Sequence, residues 1–129
     1  MQTKEQQRAA FALKQVERIG IPVDESTANF VVGVPTMILT NGLGQTLAFL
    51  LSKKQKPNEP PNKHMQTFTI IKEWLQQQGI EGLAVNSDDL VFLKQFSDLK
   101  QQHYLRAQRE ALAMLQWLKR YVRAFGQGD

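Results

Sequence analysis

The sequence predicts an all-α fold, a compact bundle of about six helices, and three observations carry that prediction. Apolar side chains recur at three- and four-residue intervals in successive segments, the period of a helix with one buried face. Capping residues open those segments and Gly or Pro closes them. No stretch offers a strand with a partner: Ile80-Glu81-Gly82-Leu83-Ala84-Val85 is the best candidate, and a lone strand has nothing to pair with, so it reads as an extended connection.

Each element follows from its own signals. Thr3 and Gln6 form a capping-box pattern, and Ala9, Ala12, Leu13, Val16 and Ile19 continue at helical spacing, so a first helix spans about Lys4 to Ile19. Gly20 and Pro22 stop it. A second helix starts near Glu25 or Ser26 and runs towards Thr40, bent or restarted at Pro35, which lacks an amide donor and biases Val34 away from helical angles. A third covers about Leu43 to Lys53. The segment from Lys53 to Lys63, with three prolines and no large apolar side chain, is an exposed loop. A fourth helix near Asn62 to Gln78 carries Met65, Phe68, Ile70, Ile71, Trp74 and Leu75. Asn86, Ser87, Asp88 and Asp89 cap a fifth helix through about Phe96. Ser97-Asp98 offers either a break or a pause before the long last helix, which ends at Phe125-Gly126.

The stretch from Ser26 to Ser52 has no charged residue. It is long enough for a membrane span, which needs about 20 mostly apolar residues. Pro35, Thr36, Thr40, Asn41, Gly42, Gly44, Gln45 and Thr46 near its middle argue against lipid, where breakers and unpaired polar groups are costly. Two short buried helices meeting at Asn41-Gly42 fit better, with no membrane contact.

At 129 residues the chain suits one helical domain, 1–129, able to bury roughly two-thirds of its unfolded surface without disulfides or metal. It contains no cysteine, which removes a disulfide framework and the usual zinc clusters. That composition suits the cytoplasm, and MQTKEQQRAAFALK shows no secretion signal. The net charge is +4, and all of the excess lies beyond residue 52. An anionic partner or plain solubility both account for such an excess.

The last helix concentrates it. From Leu99 to Phe125 there are six basic residues, Lys100, Arg106, Arg109, Lys119, Arg120 and Arg123, against one acid, Glu110. On a wheel at ~100° per residue, Ala107, Ala111, Met114, Leu115, Leu118, Val122 and Phe125 share one side. Arg106, Arg109, Lys119, Arg120 and Arg123 share the other. This is either a solvated face whose stems cover apolar edges or a track for a phosphate backbone, which positions without reading bases. The shortage of carboxylates at four-residue spacing favours the track. On the first helix, Lys4, Arg8, Lys14 and Arg18 lie away from the alanine-rich stripe, with Phe11 among them. Lys14 and Arg18 join the candidate phosphate-binding set. Phe11 is a candidate contact with a partner protein or a second buried side before it is a base-stacking platform.

Catalytic chemistry is missing. His64 and His103 have no neighbour at metal-ligand spacing and read as surface side chains. Asp88-Asp89 is explained by capping. Asn41-Gly42-Leu43-Gly44-Gln45-Thr46 lacks the lysine and preceding strand of a phosphate loop, so its glycines serve a tight turn and close helix approach. No catalytic residue, metal or cofactor is expected.

Three groups of residues point further: Val34-Pro35-Thr36-Met37-Ile38; Asn41-Gly42-Leu43-Gly44-Gln45-Thr46-Leu47-Ala48-Phe49-Leu50; and Tyr104-Leu105-Arg106 with Glu110-Ala111-Leu112 and Trp117-Leu118-Lys119-Arg120-Tyr121. In this order they resemble the small all-helical subunit of the type III-B CRISPR effector, the Cmr complex. The resemblance implies a non-catalytic antiviral-defence protein that stacks in several copies as an inner filament. Its implied partners are other Cmr subunits, itself, and the backbone of CRISPR RNA and target RNA. Sequence recognition would be left to base pairing, as in RNA-guided effectors generally. The basic residues are chosen by the wheel; the resemblance only says what they touch. Two other readings stay open: an assembly adaptor whose basic face meets acidic proteins, and a helix-turn-helix-like DNA-binding regulator.

Overall fold

A computed structural model describes residues 1–127; Gly128 and Asp129, the end of the expected domain, lie outside the described residues. Among the described residues there are six helices in the order α1 (Lys4–Ile19), α2 (Glu25–Asn41), α3 (Leu43–Ser52), α4 (Lys63–Gln76), α5 (Asp89–Ser97) and α6 (Gln101–Ala124). They surround one apolar core, and α6 packs on α1, α2 and α4.

The caps expected at Thr3 and Asp88 form, and Asp24 and Asn62 cap two further helices. Thr3 Oγ1 accepts from the Gln6 amide at 3.1 Å while Gln6 Oε1 accepts from the Thr3 amide at 2.8 Å. Asp24, Asn62 and Asp88 each accept an amide of the first turn of α2, α4 and α5. The second acid of the expected capping pair, Asp89, instead holds Lys72 at 2.8 Å.

Pro35 neither breaks nor restarts α2, which is one helix of 17 residues. Pro35 is buried between the core residues Val31, Val34 and Ile38, so packing of an apolar face outweighs the missing amide bond. Asn41-Gly42 is the junction between two buried helices, as expected. Gly42 (φ 85°, ψ 158°) ends α2 and opens α3 in a region only glycine occupies readily. A Cβ there would stand 3.3 Å from the Tyr104 hydroxyl.

The joint between α5 and α6 is a true break. Asp98 and Leu99 close the end of α5, and Lys100, in extended conformation, starts α6. Ile80 and Leu83 of the preceding connection are buried, and no strand forms among the described residues beyond a single bridge between Val23 and Gly126. That bridge, with the Val23 amide donating to the Phe125 carbonyl at 2.8 Å, ties the α1–α2 link to the end of α6.

Candidate nucleic-acid interface

The interface begins with the way α6 is held. Its first turns hold the α2–α3 junction: the Leu43 amide donates to Gln108 Oε1 at 3.0 Å and the Gly44 amide to the Tyr104 hydroxyl at 3.1 Å. Gly42 has no side chain to cap α3. Two of the orphan amides that every helix start presents are therefore satisfied from across the fold. The Tyr104 region and the Asn-Gly-Leu-Gly segment, distant in sequence, make one structural unit.

On the opposite edge, α6 is held by charge. Glu110, only 8% exposed, accepts from Arg8 at 3.1 and 2.6 Å and from the Trp74 indole at 3.2 Å. Burial pushes the Glu110 carboxyl up, but the hydrogen bonds and charge of Arg8, the charge of Lys4 and the Trp74 N–H outweigh it and hold it below the ordinary carboxylate range. The Glu110 hydrogen bond and charge raise the Arg8 pKa against the opposing effect of burial. Such a pair is costly to break, because either partner alone is a desolvated charge.

This arrangement settles where the acid of α6 goes. Glu110 turns into the core and leaves the outer face cationic. Arg109, Arg120 and Arg123 are exposed and Lys119 half-buried, and among the described residues none of the four has an ion-pair partner. At 1.5 Å per residue, Arg109 to Arg123 spans about 21 Å, several times the ~3.4 Å axial rise per phosphate of one strand of duplex DNA. One carboxylate does approach: Glu5 of α1 accepts from the Trp117 indole at 2.8 Å and borders the hollow that holds Ala113, Gln116 and Arg120.

Two residues depart from the wheel. Arg106 is half-buried and donates to the Gln78 carbonyl at 2.8 Å, so it fastens the α4–α5 connection to α6. Phe125 does not join the core side; it lies just past the helix end, 38% exposed.

The α1 candidates meet in a groove of about 590 Å³ between α1 and α4, lined by Lys4, Phe11, Lys14, Arg18, Glu73 and Trp74 among others. Lys14 is exposed there. Arg18 is engaged with Glu73 at 2.8 Å and with Gln15 at 2.9 Å. Phe11 is half-buried, its ring 4.9 Å from that of Trp74, and Lys4 lies 5.6 Å over Trp74 while donating to Gln78. The α6 face and this groove are separate groups of residues.

The histidines are not the surface side chains expected. His64 is half-buried between the rings of Phe30 and Phe49, and His103 is half-buried 3.6 Å from Glu81. Among the described residues no group of three or more His, Asp or Glu is placed to hold a metal ion, and no helix is long and apolar enough to cross a membrane.

Sequence reasoning missed Glu110 and Gln108 as anchors. Glu110 had one available signal, its place on the wheel beside the apolar stripe, where a lone acid needs a partner. The match to a family of known proteins now bears on this geometry. The family model described as CRISPR-associated protein (Cas_Cmr5) matches residues 4–125, from the first turn of α1 to the end of α6. The chain belongs to that family and is a small subunit of the type III-B Cmr effector complex.

Proposed function

We propose that this subunit is a non-catalytic structural component that stacks in several copies as an inner filament. There, the outer face of α6 lies along the backbone of guide and target RNA. The observation that carries the reading is the row of Arg109, Lys119, Arg120 and Arg123, none ion-paired among the described residues, on a helix whose one acid, Glu110, is sequestered by Arg8. Cations at this spacing suit repeated phosphates and carry no base information. Lys14, exposed on α1, and Arg18, ion-paired with Glu73, form a second basic group at the α1–α4 groove, separate from the α6 face; Arg106 acts first as an internal fastening. Phe11, at the rim of the α1–α4 groove, is the contact assigned to a neighbouring subunit.

The test is assembly with altered subunit. Arg109→Glu, Arg120→Glu and Arg123→Glu combined are expected to enter the effector complex normally, and the complex is expected to retain less RNA. Loss of co-purification, with normal RNA binding by whatever assembles, would instead assign the face to an acidic subunit.

A further inference from the structure

We propose that the aromatic and lysine cluster where α2, α3 and α4 meet is a binding site for single-stranded nucleic acid, with a base stacked on Phe49 and flanking phosphates on Lys53 and Lys63. Three helices each bring one ring. His64 of α4 stands 4.5 Å from Phe30 of α2 and 5.7 Å from Phe49 of α3, centroid to centroid. The inward residues of α3 are Leu43, Thr46, Leu47 and Leu50; Phe49 is not among them and is 37% exposed. Phe49 thus lies outside the core, packed against His64 and with more than a third of its surface open.

Lysines cover the rings. Lys53 Nζ lies 5.7 Å from the Phe49 centroid, and Lys63 Nζ lies 5.7 Å from that of Phe30 while donating to Ser26 at 2.8 Å. Lys54 and Lys56 follow in the exposed loop. The acids nearest in sequence are Asp24, Glu25 and Glu59; among the described residues none is ion-paired with these lysines, although the charge of Lys63 reaches Asp24. The Asp24 carboxylate is occupied by the amide and hydroxyl of Thr27, at 3.1 and 2.6 Å. The cluster is thus cationic around an aromatic centre, on the border of helices that carry no charge from Ser26 to Ser52.

That combination is what a single strand uses: cations that follow the backbone and a π face that accepts any base. Lys53, exposed and resting on the Phe49 ring, is held weakly and swings on a flexible stem, whereas Lys63 is half-buried and bonded to Ser26. Lys53 leaves for a phosphate and uncovers the ring for a base. Burial, then the charges of Lys63 and Lys53, holds the His64 pKa below its ordinary value, which keeps its ring neutral beside Phe49 at pH 7. An acidic protein segment would use the lysines but not the rings, and this difference separates the two partners. The site is independent of the α6 face, since none of its residues lies on α6.

The experiment uses the full chain and a fluorescent ten-nucleotide oligouridylate, with affinity followed by anisotropy over a range of salt and folding checked by thermal melting. Phe49→Leu keeps apolar bulk and every charge. It is expected to weaken binding about tenfold, the effect of removing one base stack, with an unchanged salt slope. Lys53→Gln with Lys63→Gln is expected to weaken binding and flatten the slope by about 0.7 for each phosphate no longer neutralised. An abasic oligomer of the same length should bind the unaltered chain about as weakly as the uridylate binds Phe49→Leu. Failure of the unaltered chain to bind, equal affinity for abasic and uridylate strands, or Phe49→Leu binding at full strength would each overturn the proposal. Tighter binding of an acidic peptide of equal charge, insensitive to Phe49→Leu, would overturn it in favour of a protein partner.

Discussion

The two edges of α6 are held by opposite means. Towards α2 and α3 the contacts are uncharged: a tyrosine hydroxyl and a glutamine amide satisfy the amides at the start of α3. Towards α1 and α4 the contact is a sequestered ion pair, Arg8 with Glu110, to which Trp74 adds its indole. The difference teaches why the outer face is so uniformly basic. An uncharged edge takes no charges from the helix, while the charged edge consumes its only acid. The charge that remains outward is that of arginine and lysine.

The largest expected effect is on the charged edge. Glu110→Ala takes the only acceptor from the Trp74 indole and leaves the Arg8 guanidinium with just its 3.3 Å contact to Glu5, and should cost about 3 kcal/mol in a urea unfolding experiment. A loss near zero would mean that Arg8 finds water and the edge is not held by charge. Acid should produce a graded version of the same loss. The Glu110 carboxyl titrates lower in the folded than in the unfolded chain, so its stabilisation is complete above the unfolded value, ~4.3, and disappears as pH falls through the depressed folded value. The stability gap between the unaltered chain and Glu110→Gln should therefore be constant at neutral pH and narrow below about pH 4. A gap that widens in acid would reverse the sign of this account.

Changes on the uncharged edge should be milder. Gly42→Ala forces a side chain into a positive-φ conformation and towards the Tyr104 hydroxyl, at a cost of about 2 kcal/mol. Tyr104→Phe removes only the acceptor for the Gly44 amide and should cost about 1 kcal/mol, measured as a shifted denaturation midpoint with an unchanged slope. If Tyr104→Phe proved as damaging as Glu110→Ala, the contrast between the two edges would be wrong.

The same contrast explains what could be read from sequence. Local signals were sufficient for the helices: the Thr3–Gln6 box, the Asp88 cap, the Asn41-Gly42 junction and the apolar stripe of α6 all act within a few residues. The fates of Arg106, Glu110 and His64 were not legible, because each is decided by a distant partner. Arg8 stands 102 positions from Glu110, and Arg106 meets a backbone carbonyl 28 positions away. Periodicity assigns a residue to a face; it does not say whether that face has a charged neighbour. Hence the basic row on α6 could be predicted, while the separate engagement of Arg106 and the intrusion of Glu5 could not.

The smallest expected effect on folding belongs to the outer face itself. Reversing Arg109, Arg120 and Arg123 removes no ion pair found among the described residues, and each change should alter stability by no more than about 0.5 kcal/mol. Its effect on RNA is the most direct test of the central claim that this face follows a phosphate backbone. In the assembled effector complex, the slope of log affinity for RNA against log salt should flatten by about 0.7 for each phosphate that the three reversals leave unneutralised. A complex that contains the altered subunit and keeps the original slope would take the α6 face out of the RNA path.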